Sequence, residues 1–563
     1  MRSSVFRVLL PFAVIATLWA IPAAGSTAGG QTLKFAVTLS PALNTGKVTG
    51  RLIVVISLTN RSSELSQMNS VTNPSPFFGA DVSAWKPGTI KKLAHSQSVI
   101  GYPLASLPAL PAGDYFVQAF FNVYTKFTRS DGSVVWLHEP CGDGGVPTSS
   151  PGNLYSSVVP LHLDGKTSGL QQLTLDKMIP YPTGTSTFPD NSPSTTCQQN
   201  NYTDSQHVKH IKIQSPMLSA FWGKPIYIGA NVLLPMTYDQ AGHENDHYPV
   251  VYDQGHWPGG GVLGFSETSN TGFSAYWKDP STPQFIAVTL RHETPYYDDS
   301  YAVNNANEGP YGDAITQELI PYIDSHFRTY SARWARSLTG VSTGGWEALA
   351  QMVWYPDVYD GTWAVSPDPV DFRFHQLVNV YSDANAYFQK HTWVNVPRLS
   401  QRQTSGDSVM TMEEENHWEL ALGTHGRSQL GQWDIWQAVF GPEGSDGYPA
   451  VIWNKQTGDI DHSVAMQWQP KDIRLYVVNN WSTLGPKLTG RIHDYGGTDD
   501  SYFLDDSGQL LQTALAALTN PAANADFQWV EGGAHGASPY TTQQLLTIMY
   551  NAMWADAPCP PHC

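Results

Sequence analysis

The sequence predicts two kinds of fold in one chain: an all-β, sandwich-like N-terminal domain, then an α/β domain with a mainly parallel sheet. Three observations predict it. Charged residues are only 14% of the 563 residues while 41% are hydrophobic, with Gly, Pro, Asn, Ser and Thr supplying the polarity of a folded, turn-rich globular chain. Up to about residue 175, β-rich runs alternate with turn residues. After residue 209 the pattern changes to short continuous apolar runs alternating with helical segments, as in a buried parallel sheet with crossover helices.

At the N-terminus, Arg2 and Arg7 precede an apolar run from Val8 to Ile21 and the small residues Ala23, Ala24 and Gly25. This is the pattern of a cleaved secretory signal over 1–25, and the run is shorter than the ~20 residues that span a bilayer. The mature protein is therefore expected to be secreted or periplasmic. In that compartment the four cysteines favour bridges, Cys141 with Cys197 and Cys559 with Cys563. The formal charge of -17 leaves no basic surface to neutralise phosphate or anionic lipid, so neither a nucleic-acid nor a membrane partner is expected after signal cleavage.

In the first domain, 31–175, LKFAVTL from Leu33, GRLIVVISL from Gly50, GDYFVQAFFNVYTKF from Gly113 and SVVWL from Ser133 read as strands, with no competing helical period. Residues 176–208 are rich in Pro, Ser, Thr and Asn and read as a linker. The α/β domain, 209–556, offers strands at 250–254, 285–290, 336–341, 361–366, 490–495 and 527–532. Helices follow over 313–327, where Ile315, Leu319, Ile320 and Ile323 share a face, and over 345–355. Residues 371–470, rich in Trp, His and Gln and with a helix over 412–423, interrupt the alternation as an insertion, either capping a site or merely decorating the fold.

Between the run 336–341 and the helix after it stands Gly340-Val341-Ser342-Thr343-Gly344. A strand-to-helix turn this sharp holds its serine in a strained conformation, and glycines on either side let strand and helix approach. The hydroxyl is lifted above the sheet, and the Thr343 amide at the helix N-terminus points where an oxyanion would form.

The segments FIAVTL, GDAITQELIPYIDSHFR and RSLTGVSTGGWEALAQMVWYPDVYDG resemble the putative-esterase (esterase D-like) family of α/β-hydrolases, which includes feruloyl esterases and S-formylglutathione hydrolases. The resemblance covers roughly 209–556. It implies an α/β-hydrolase fold and a serine esterase with its triad in the order Ser, acid, His. His535, in the glycine-rich loop after the last strand, matches the family's catalytic imidazole better than His493, His462 or His425. The acid belongs at the end of the preceding strand, where Asp499 and Asp500 stand. The family's Gly-x-x-Asp spacing selects Asp500, and Asp368 or Asp371 would serve if the acid came one strand earlier. The analogous early loop implies the backbone amide of His256 as second oxyanion donor. The imidazole of His256 is left either lining the pocket or without a role.

Two other motifs compete. His243-Glu244-Asn245-Asp246-His247 fits the zinc-peptidase pattern H-E-x-x-H, but that pattern requires a helix, and Gly242, Asn245, Asp246 and Pro249 argue for a loop. Gly259 to Gly264 fits G-x-G-x-x-G without the helix a dinucleotide needs. No metal and no cofactor is expected. The expected activity is hydrolysis of carboxylic esters through an acyl-enzyme, on carbohydrate-linked, feruloyl or other small-molecule esters. The rivals are an acyltransferase of the same fold and a catalytically inactive carbohydrate-binding surface protein.

Overall fold

Alternation of apolar and polar residues builds the N-terminal unit. In Lys34–Leu39, Phe35, Val37 and Leu39 are fully buried while Lys34 is exposed. The computed structural model describes residues 33–558 apart from 61–64, 143–144, 165–168, 182–196, 257–258 and 298. The leader 1–25 and the Cys559–Cys563 pair thus lie outside the described residues. Ten strands form one hydrogen-bonded sheet, where the sequence suggested a sandwich. Its spine is the 16-residue strand Gly113–Thr128. One edge of this strand pairs with Val48–Ser57, and the other meets Val159–Leu163, Leu154–Ser156 and Val134–Leu137 in turn. One core, running from Leu33 to Leu175, contains no residue of the following domain. The apolar face is therefore buried by the sheet curling over itself.

The second domain is a mixed eight-stranded sheet. Val208–Gln214, Tyr227–Leu233 and Ile286–Arg291 pair antiparallel. From Ile286–Arg291 onward, Val250–Gln254, Arg336–Val341, Gly361–Val365, Ile492–Gly497 and Asp526–Val530 follow in parallel. Successive residues point to opposite faces. Val250 and Tyr252 pack with the helix Thr343–Trp354, and Val251 packs with Leu545, Leu546, Met549 and Met553 of Thr542–Ala555. Both faces are covered, which is why these strands read as unbroken apolar runs. The stretch Tyr311–Ala314, Ile315–Leu319, Ile320–His326 is helical throughout, with a π turn in its middle just before Pro321.

The two antiparallel strands were not legible in the sequence, because His210 and Lys212 interrupt the apolar pattern of the first. Both are buried, and His210 Nδ1 lies 2.9 Å from Asn231 Oδ1 of the neighbouring strand. The segment Cys197–Gln199, assigned to the linker by its composition, is buried too. Cys197 is disulfide-bonded to Cys141, and the Gln198 side chain accepts from Tyr227 N at 2.9 Å.

The insertion joins the two domains. Trp418, Ala421 and Leu422 of the helix Met412–Leu422 enter a second apolar cluster with Ile53, Val55, Phe77 and Phe120 on the outer face of the N-terminal sheet. Trp418 Nε1 donates to Met68 O at 2.8 Å. Buried Arg51 donates to Ala421 O at 2.9 Å, and Asp81 bridges Arg51 and Arg427 at 2.9 and 2.6 Å. Truncating Trp418 to alanine empties the centre of this contact and is expected to cost about 3–5 kcal/mol in chemical denaturation. A loss under about 1 kcal/mol would show that the interface does not support the fold.

Candidate active site

Steric exclusion at two glycines sets the geometry of the elbow. A Cβ on Gly344 would stand 2.2 Å from Gln254 O, and one on Gly340 2.3 Å from Gly344 O, so only glycine allows this approach. Between them Ser342 is held at φ 60°, ψ -125°, a region that non-glycine residues occupy only under constraint. Its backbone is pinned on both sides: Ser342 N donates to Val365 O at 2.9 Å, and Ser342 O accepts from Trp346 N at 3.0 Å and Asp368 N at 3.2 Å. Thr343 opens the helix, where the first amides lack intrahelical acceptors. A Cβ on Gly344 would also lie 2.9 Å from Gly255 Cα, so the backbone leading into His256 lies against this helix start.

His535 stands in the loop after Asp526–Val530. Its Nδ1 lies 2.9 Å from Asp500 Oδ2, while Asp500 Oδ1 accepts from Tyr502 N at 2.8 Å. Asp499 makes no such contact, its backbone N donating to Gly533 O. Gly536 N donates to Ser366 Oγ at 3.0 Å, and a Cβ on Gly536 would touch Val341 Cγ1 at 3.5 Å, so the histidine loop lies over the elbow. Burial pulls the His535 pKa down, but the hydrogen bond and charge of Asp500, with Asp368 beyond, more than offset this and hold it above the ordinary histidine value. Tyr502 meets the ring edge to face at 5.0 Å.

The Ser342 hydroxyl is turned to Asp368 Oδ1, 3.4 Å away, rather than to His535. Asp368 is 3% exposed. Its Oδ2 accepts from Tyr301 OH at 2.6 Å, Thr343 Oγ1 at 2.9 Å, Trp436 Nε1 at 3.2 Å and Gln432 Nε2 at 3.4 Å. Gln432 and Trp436 lie one turn apart on the insertion helix Gln432–Phe440, so the insertion caps the elbow. Asp368 belongs to the site without orienting His535. Asp371 lies outside it, paired with Arg373 at 2.6 Å and Arg474 at 3.0 Å.

The other histidines weighed as the base, and those of the H-E-x-x-H motif, lie elsewhere. His493 stacks on Trp363 at 4.3 Å, and His462 and His425 are exposed. His243 and His247 lie in an irregular loop and not on a helix, with His243 Nδ1 2.6 Å from Asp246 Oδ2. Sequence reasoning missed Tyr301, Gln432, Trp436 and Asp299. The i, i+4 spacing of Gln432 and Trp436 was visible, but nothing in the sequence indicates which surface that helix face covers.

Residues 223–417 match the family described as putative esterase. The matched segment holds the elbow, and its match to this family supports a carboxylic ester hydrolase. Among solved structures, the chain is similar to a ferulic acid esterase at 15% identity, with 62% of this chain and 96% of that chain covered and a TM-score of 0.32. An S-formylglutathione hydrolase from Agrobacterium tumefaciens gives 12%, 61%, 92% and 0.30. The fluorophosphonate-binding serine hydrolase F of Staphylococcus aureus gives 11%, 62%, 96% and 0.32.

Replacing Asp500 by asparagine removes the charge that raises His535, so the imidazole is expected to titrate at lower pH, while Asp499→Asn leaves it in place. Histidine NMR titration of the two variants checks this. Equal shifts in both, or none in Asp500→Asn, would contradict the pairing.

Proposed function

We propose that the protein is an exported serine esterase in which Ser342 is the nucleophile, His535 the general base and Asp500 the acid that orients it. The observation that carries this reading is the strained Ser342, lifted at the elbow beneath the loop that holds the His535–Asp500 pair. The Ser342 hydroxyl rotates from Asp368 to His535 Nε2, gives up its proton there, and its oxygen bonds to the ester carbonyl carbon. The carbonyl oxygen, now negative, receives the amides of Thr343 and His256, each such donor contributing about 3–4 kcal/mol. As the intermediate collapses, the bond to the alcohol breaks and His535 returns the proton to the departing oxygen. Water then repeats the sequence, with His535 taking its proton, and the carboxylic acid leaves.

The Cys141–Cys197 bridge supports export to an oxidising compartment. The half-buried Tyr502 beside His535 offers an aromatic face on which a feruloyl or other phenolic acyl group would stack.

Ser342→Ala is expected to abolish turnover of a chromogenic acyl ester and labelling by a fluorophosphonate, with the thermal melt of the folded chain unchanged. Activity or labelling persisting in that variant would remove Ser342 from the mechanism.

A further inference from the structure

A second histidine–aspartate pair flanks the elbow. His256 Nδ1 lies 2.5 Å from Asp299 Oδ2, with the two side chains 17% and 1% exposed. The other ring nitrogen, Nε2, lies 3.0 Å from Gln432 Oε1. The orientation of that amide follows from its far end, where Gln432 Nε2 reaches Tyr301 OH and Asp368 Oδ2. Tyr301 gives its own proton to Asp368, and a carboxylate oxygen only accepts, so the NH₂ must lie on that side and the carbonyl must face His256. Both ring nitrogens of His256 therefore meet acceptors, which requires both to carry protons: the ring is an imidazolium.

The surroundings agree. Burial pulls the His256 pKa down, but the charge and hydrogen bond of Asp299, then Asp368 and Gln432, raise it above the ordinary value. His292, Tyr297 and Tyr301 also face the ring. Asp299 additionally accepts from Tyr301 N at 2.6 Å. Behind it Glu347, fully buried, is pushed well above the carboxylate range by burial and by Asp299. His292, Asp299 and Glu347 bring ligand-type atoms within 4.8 Å of one another. However, His292 Nδ1 accepts from Ser300 N at 3.2 Å, so its proton sits on Nε2, the atom that would have to bind a metal. With that proton in place the trio does not suit a cation cradle.

A charged His256 has a counterpart in Asp368. Its Oδ1 stands 3.4 Å from the nucleophilic oxygen, and an unopposed carboxylate there would repel the negative charge that develops on the substrate. We propose that the His256 side chain is a positioning residue for charge: its imidazolium, fixed by Asp299 and Gln432, offsets Asp368 so that the oxyanion can form beside Ser342. This rests on the serine-esterase reading and assigns the ring, not only the backbone amide, a part in the reaction.

The test is a double-mutant cycle on the full chain with p-nitrophenyl acetate, using His256→Gln, Asp368→Asn and the pair together. His256→Gln keeps the backbone amide, so kcat is expected to fall roughly ten- to hundredfold with KM nearly unchanged. The double variant is expected to turn over faster than His256→Gln alone, because the charge to be offset is gone. Wild-type kcat in His256→Gln, or a double variant no faster than that single one, would overturn the proposal. Should His256→Gln fail to fold, Asp299→Asn keeps the ring but removes its counter-charge. Since activity is lost as pH rises through the His256 pKa, that variant should lose it at lower pH than wild type, and an unmoved upper limb would overturn the proposal. A wild-type chain that neither hydrolyses the ester nor takes up a fluorophosphonate would refute the esterase reading itself.

Discussion

The backbone approach at Gly340 and Gly344 is the constraint on which the rest depends. With the Gln254 carbonyl 2.2 Å from where a Gly344 Cβ would stand, strand end, elbow and helix start are held so close that Ser342 has no relaxed conformation to adopt. The cost of that strain, about 1–3 kcal/mol, is offset by the helix Thr343–Trp354, buried from Thr343 to Val353 and packed between sheet and insertion. The same approach brings the Thr343 amide and the loop carrying His256 to one place, so the constraint that strains the serine also assembles the donors around it.

Charge is balanced around this point. Three aspartates, Asp299, Asp368 and Asp500, are each no more than 3% exposed, and two of them hold histidine rings. A buried carboxylate without a partner is strongly disfavoured. Pairing is accordingly dense: Asp368 takes four donors on one oxygen, Asp500 holds His535, and Asp299 holds His256. The insertion is integral to this balance, since Gln432 and Trp436 supply two of the donors on Asp368.

Much of this was legible in the sequence. The central strands stand out because burial on both faces makes them continuous apolar runs. The elbow stands out because its steric demand is written in glycine. His535 and Asp500 were selected by the family resemblance, and the structure places the two side chains 2.9 Å apart. Three features were hidden: the antiparallel edge, where polar His210 and Lys212 are buried; the closure of the N-terminal strands into one sheet; and the polar network, because hydrogen bonds between Tyr301, Asp368 and Gln432 join side chains whose nearness arises only in the tertiary fold. Asp368 appeared in the sequence as a substitute acid, and in the structure it contacts the Ser342 hydroxyl instead.

In the proposed mechanism one strained hydroxyl, one imidazole and two backbone amides converge on a single reacting atom. A crystal structure of the fluorophosphonate adduct tests that convergence most directly. Phosphorus is expected to be bonded to Ser342 Oγ, with a phosphonyl oxygen about 3 Å from the amides of Thr343 and His256 and His535 Nε2 facing the same centre. An adduct on another residue, or a phosphonyl oxygen pointing away from both amides, would contradict it.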